Sequence, residues 1–207
     1  MTNARKSTFG GGRPVLTVSN DAPAVTRVRT TLLSASLMTL RKRGLLDAYL
    51  RELPREYHEF VVGVVAGDWA PIAVGVAHYS ALDRLAISAS DQYDIGHDVG
   101  ARIQQGVLGT AARLAGNAGA TPWTALEQLP RLWQRMLEGG AVGLYELGPK
   151  DARIEFARCA LVKFAYCRNA FRGMVAGAMG PFCRKIFVNE IRELTDDNNL
   201  AMHAAWA

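Results

Sequence analysis

Cysteine and histidine are scarce in this chain, three and four among 207 residues. So few thiols exclude a disulfide-built scaffold, and their odd number points to a reducing compartment, the cytoplasm. A secretory signal is not read at the start, because the first apolar stretch after Met1 covers only residues 14–18. Long unbroken hydrophobic runs are missing too. Residues 60–77 come nearest, but Asp68 and Pro71 stand near their middle. A mid-membrane carboxylate costs about 2.5–3.5 kcal/mol on insertion scales, so this run reads as buried core and not as a span. Hydrophobic residues at 49% and charged residues at 21% give a globular composition, which excludes a disordered or fibrous chain.

Positive charge is the one excess, and it is local. The first 43 residues hold eight Lys or Arg against Asp21, leaving 16 basic and 18 acidic residues in the remainder. The net charge of +5 therefore belongs to the N-terminal part. Gly10-Gly11-Gly12, Pro14 and Pro23 make residues 1–23 read as a flexible basic leader, with one domain over 24–207. A solvated leader is the plainer reading, and nucleic-acid binding by it the less favoured one. The glycines before Arg13 lack the Lys-Ser/Thr of a phosphate loop.

From Arg27 the apolar pattern is helical. Leu33, Leu37, Leu40 and Leu45 recur at helical spacing, Arg41-Lys42-Arg43 then Gly44 read as a helix end, and Pro54 and Pro71 each fit a first helical turn. Ile95, Val99, Ile103, Val107, Ala111 and Leu114 form one stripe, with Gly96, Gly100, Gly106 and Gly109 along the same helix. Those glycines cost helix propensity and are tolerable where another backbone packs closely. Thr121-Pro122 opens a further helix that Pro130 should bend, and Gly139-Gly140 stops it. The period then becomes alternating, in Val142, Leu144 and Ile154, Phe156, around a Gly148-Pro149 turn. Phe164, Cys167, Phe171, Met174 and Val175 return to helical spacing. Two more strands come after them, 185–192 and 200–206. The predicted architecture is α+β: an N-terminal helical half packed on a four-stranded antiparallel sheet, built as hairpin–helix–hairpin in the C-terminal half.

Few residues suggest chemistry. Asp94, His97 and Asp98 share a helical face and could bind a divalent metal, although acids also gather at a helix start because its dipole favours them. Cys159, Cys167 and Cys183 lack the close pairing of a zinc knuckle and read as core. His78, Ser80 and Asp83 invite a triad reading, but triads are assembled from distant segments. Arg168 and Arg172, four apart, repel unless an anion or acidic partner is shared, and Tyr166 could add a hydrogen bond. These three are the candidate ligand or partner contacts. The four tryptophans read as core or pocket wall.

The segments RTTLLSASLMTLRKRGLLDAYLREL, GDWAPIAVGVAHYSALDRL, TPWTALEQLPRLWQRMLEGG, YELGPKDARIEF and FAYCRNAFRG resemble an uncharacterised family of domain-sized proteins numerous in myxobacteria, over residues 27–207. Its shared positions (Trp69, Pro71, Pro122, Trp133, Gly148, Tyr166, Arg168, Gly173) are structural. The order of elements also resembles the superfamily of vinyl-reductase-like ligand-binding domains, haem nitric-oxide sensors and transport-complex subunits. That resemblance implies a domain binding a small apolar ligand or a protein partner, as a homodimer. The Tyr-x-Ser-x-Arg haem signature is missing from HYSALDRL, which makes haem doubtful and leaves the cofactor unknown. A non-enzymatic ligand-binding or regulatory module in cytoplasmic signalling is the leading reading. An adaptor in a signalling or polarity complex, docking a partner helix through the Gly96/Gly100 or Arg168/Arg172 face, is the alternative, and a metal-dependent enzyme comes third.

Overall fold

A computed structural model describes residues 11–19, 21–103 and 121–207. Helix α1 (Thr30–Lys42) buries Leu32, Leu33, Leu37 and Leu40 on one stripe and carries Arg41 and Lys42 in its last turn, where the dipole favours cations. Gly44, at φ +68°, closes it: the Leu45 N–H donates to Leu40 O and the Gly44 N–H to Arg41 O, the paired bonds of a Schellman end. Helix α2 (Leu46–Glu52) comes next, then a short turn (Arg55–Tyr57) and helix α3 (His58–Val62).

Pro71 precedes helix α4 (Ile72–Asp83) as expected, but the apolar run 60–77 is not one buried piece. Gly63 ends α3, and Phe60, Val62 and Val65 are 40%, 59% and 71% exposed. Helix α5 (Ala89–Ile103) carries the first half of the long stripe; Val107, Ala111, Leu114, Gly106 and Gly109 lie outside the described residues. Thr121 caps helix α6 (Pro122–Leu126) with a reciprocal pair of bonds to Thr124. Pro130 does more than bend the helix. Proline lacks the N–H that would bond Leu126 O and its ring crowds that carbonyl, so the first helix ends at Leu126 and the chain restarts as α7 (Leu129–Met136), with Pro130 in the first turn.

The predicted sheet is present and has one strand more. Strands β5 (Ala141–Gly148) and β6 (Asp151–Ala157) form the first hairpin, helix α8 (Ala165–Met179) crosses, and β7 (Ile186–Glu190) pairs with β8 (Leu200–Trp206). Within the stretch read as leader, β1 (Arg13–Leu16) pairs antiparallel with β5, giving the order β1-β5-β6-β8-β7. Arg13 forms an ion pair with Glu146, and Arg153 reaches from β6 to Gly11 O. A second, three-stranded sheet joins β2 (Arg27–Arg29), β3 (Trp69–Pro71) and β4 (Leu137–Glu138) in the order β3-β2-β4. Strands of two or three residues leave no period to read.

Registered residues Leu144, Ile154 and Met202 lie side by side across the large sheet, all fully buried. Helix α8 adds Phe171, Val175 and Met179 to this core. Its N-terminus is tied to the helical half by Asp83, which accepts the Tyr166 N–H at 2.7 Å from the end of α4.

Helices α5 and α8 are in backbone contact. A Cβ at Gly96 would lie 1.9 Å from Ala170 O, and one at Gly173 would lie 1.9 Å from Tyr93 O. Gly100 and Gly177 meet Met174 O and His97 O at 2.2 and 2.3 Å in the same way. The close approach that makes helical glycine tolerable is therefore internal. The face that the adaptor reading kept for a partner helix is covered by α8.

Candidate functional site

Where α1, α7 and α8 meet β6, the packing leaves a cavity of about 60 Å³. Leu32, Trp133, Met136, Phe156, Phe171 and Met174 line it, together with Gly100 of α5. Three of its rings form a cluster: Trp133 stacks on Phe156 at 5.1 Å, and Phe171 stands edge-on to Phe156 at 5.6 Å. The Trp133 indole N–H is spent on Gly139 O at 2.8 Å, so the ring brings only carbon to the wall.

A second cavity, of about 20 Å³, shares Leu32, Phe171 and Met174 with the first. Its wall adds Ile95, Gly96, Ser36, Tyr79 and Tyr166. Behind Ser36 lies a buried polar chain: His78 Nε2 is 3.1 Å from Ser36 Oγ, and His78 Nδ1 is 2.8 Å from the Tyr49 hydroxyl. Burial pulls the His78 pKa down to about 3, because the charged imidazolium has lost its water, and pushes the Tyr49 phenol up for the same reason. The ring is neutral, with one nitrogen donating and the other accepting. Sequence reasoning missed Ser36 and Tyr49; polar residues inside the apolar stripes of α1 and α2 were the available signal.

Of the predicted contact residues, Arg168 and Arg172 come together and Tyr166 does not join them. Arg168 pairs with Glu190 at 3.4 Å and donates to Val162 O and Lys163 O. Arg172 donates to Val188 O and to the side chains of Asn169 and Asn189. Both guanidinium groups thus fasten α8 to β7 and to the preceding turn, along an open polar cleft of about 710 Å³. The repulsion expected between them is relieved by internal acceptors. Tyr166 is 1% exposed, in the core.

Asp94 and His97 are exposed on α5, and Asp98 is 3.5 Å from Arg43. Among the described residues, no three of His, Cys, Asp or Glu are grouped to hold a metal ion. The triad spacing is not realised either. His78 faces Ser36 and Tyr49, Ser80 accepts from Arg84, and Asp83 accepts from Tyr166. Cys159 and Cys167 are fully buried free thiols; burial pushes the Cys159 pKa up to about 11 and raises that of Cys167. Trp133 is cavity wall, whereas Trp69 is half-buried beneath the guanidinium of Arg29, 5.0 Å above its ring.

No family model matches this chain, and no curated protein does. Solved structures do match. A ligand-free Fe(II) H-NOX mutant from K. algicida superposes with a TM-score of 0.62 at 11% identity, covering 86% of this chain and 96% of that one. An H-NOX mutant from T. tengcongensis gives 0.54 at 13%, covering 86% and 97%. An oxygen-binding H-NOX domain related to soluble guanylate cyclases gives 0.55 at 14%, covering 86% and 94%. The fold is H-NOX-like. At this identity the likeness is one of fold.

Haem, the group this fold implies, does not fit the residues described. Pockets for drug-sized ligands measure about 300–1,000 Å³, several times these two cavities together. Ala170 O lies where a Gly96 side chain would begin, so no planar macrocycle enters between α5 and α8. His78 spends both ring nitrogens internally, His58 bonds Leu53 O, and His203 bonds Asp151. His97 is on the outer surface of α5. Among the described residues, no helix is long and apolar enough to cross a membrane.

Proposed function

We propose that this chain is a regulatory, non-catalytic module that binds a small apolar molecule where the helical half meets the sheet. The observation that carries the reading is the cavity wall between α7 and α8, built from aliphatic, aromatic and thioether side chains. Filling such a space removes apolar surface from water without stranding a polar group. The H-NOX-like fold supports the reading at the level of architecture, since an oxygen-binding domain shares it. The three free thiols support the cytoplasm as its compartment.

The volume limits affinity. A ligand of about four heavy atoms, at the ceiling of about 1.5 kcal/mol per atom, gains at most about 6 kcal/mol, so its Kd lies near 10⁻⁴ M or above. Such a module answers to local abundance of its ligand.

The test is methyl NMR of the protein under xenon pressure, joined to mass spectrometry of a solvent extract of freshly purified protein. The ε-methyl signals of Met136 and Met174 should move with xenon, while that of Met38, 57% exposed on α1, should not. Unmoved cavity methyls together with an empty extract would remove the reading.

A further inference from the structure

We infer that the two cavities form one site for a small neutral amphiphile, its body of a few carbons against Trp133 and Phe171, its single hydroxyl or carbonyl group between Tyr166 and Ser36. The inference rests on the proposed function and names the ligand class of that site.

The two spaces are adjacent, because Leu32, Phe171 and Met174 line both. Met174 stands in the shared wall, and an unbranched thioether can change rotamer at little cost to join them. Their chemistry differs. The larger has a hydrocarbon and thioether wall, whereas the smaller meets the hydroxyl-bearing side chains Ser36, Tyr79 and Tyr166.

Tyr166 supplies the main observation. It is 1% exposed, and its hydroxyl has no hydrogen-bond partner among the described residues. Buried hydroxyls are nearly always paired, so this one asks for a group to pair with. Ser36 offers the second contact. If His78 donates from Nε2, the Ser36 O–H is left to donate; if Ser36 donates to Nε2, a Ser36 lone pair is left to accept. Either tautomer therefore leaves Ser36 able to serve a polar atom in the cavity, and the Tyr166 hydroxyl can do both.

Size and charge narrow the class. A space of about 20 Å³ admits one water-sized group, for which about 10–15 Å³ suffices. Among the described residues no Lys, Arg, Asp or Glu lines either cavity, and Arg43, whose charge reaches Tyr166, is already paired with Asp91 and Asp98, so a carboxylate or ammonium head would be buried without a contacting counter-ion. An engineered cavity of about 150 Å³ holds benzene, so a space of about 60 Å³ limits the body to fewer atoms than a ring. Short alcohols and ketones satisfy all three limits.

The experiment titrates 1-butanol and, separately, butane into the full chain and into Tyr166→Phe and Ser36→Ala, reading the Met174 methyl signal. Near-UV circular dichroism confirms that each variant is folded; Tyr166→Phe removes a hydroxyl that bonds no described residue, and Ser36→Ala is the independent second probe. Each substitution should weaken 1-butanol about three- to tenfold, the loss of one neutral hydrogen bond, and change butane less than about twofold. If both ligands bind and respond alike to the substitutions, the polar half of the site is refuted while the apolar module stands. If neither ligand moves the Met174 signal in the unmodified chain, both readings fall.

Discussion

Gly96→Ala is a direct probe of the α5–α8 contact that shapes both cavities. In an exposed mid-helix position this change gains about 0.8–1 kcal/mol of helix propensity. Here the new methyl would begin 1.9 Å from Ala170 O, and the obstacle is backbone, which no rotamer change can move aside. The helices must part by more than about 1 Å, an overpacking strain at the upper end of the usual range of about 1–3 kcal/mol. Subtracting the propensity gain leaves a net loss of about 2 kcal/mol. With a urea slope of about 2 kcal/mol per M, the midpoint should fall by about 1 M. Gly75→Ala is the matched control. Its nearest neighbour is Leu161 Cδ2 at 3.2 Å, a side-chain tip able to shift, so its stability should stay within about 1 kcal/mol of the parent. A Gly96→Ala protein as stable as Gly75→Ala would refute the backbone contact.

Three further outcomes are expected of the same interior. The folded chain takes a proton on His78 only near pH 3, against about 6.5 when unfolded, so this group's contribution is complete above pH 6.5 and lost as pH falls toward 3. Its slope should approach about 1.4 kcal/mol per pH unit in that window, and His78→Gln should flatten the acid limb of a pH-dependent unfolding series. Asp83→Ala removes the acceptor of the Tyr166 N–H at the start of α8 and should cost about 1 kcal/mol in thermal or urea unfolding, with Asp83→Asn close to neutral. Thiol titration of the native protein should label Cys183, which is partly exposed, well before Cys159 and Cys167; early labelling of Cys167 would contradict its place in the core.

Much of the fold was legible because its signals are periodic. Alternation in Val142, Leu144, Ile154 and Phe156 marked the first hairpin, and the four-residue spacing of Cys167, Phe171 and Val175 marked the helix between hairpins. Glycines on the α5 stripe announced a close backbone neighbour, though not that the neighbour was α8. The small sheet was illegible because Leu137–Glu138 and Trp69–Pro71 are too short to alternate. Strand β1 was hidden by glycine and proline around it, since its pairing depends on β5, whose Glu146 lies 133 residues beyond Arg13. The candidate site was less legible than the fold. Arg168 and Arg172 looked like free cations because part of their acceptors, Val188 O, Asn189 and Glu190, come from a later strand, and the rest are backbone carbonyls of the preceding turn and the neighbouring Asn169. The cavity is a shortfall of volume between several elements distant in the chain, and no local pattern encodes a shortfall.

The most direct measurement is a crystal structure of the chain determined under xenon pressure. The expected result is a xenon atom seated between Met136, Trp133 and Met174, at high occupancy, with the α5–α8 contact unchanged. A cavity that stays empty, or that is filled by the same side chains in other rotamers, would contradict an apolar ligand site.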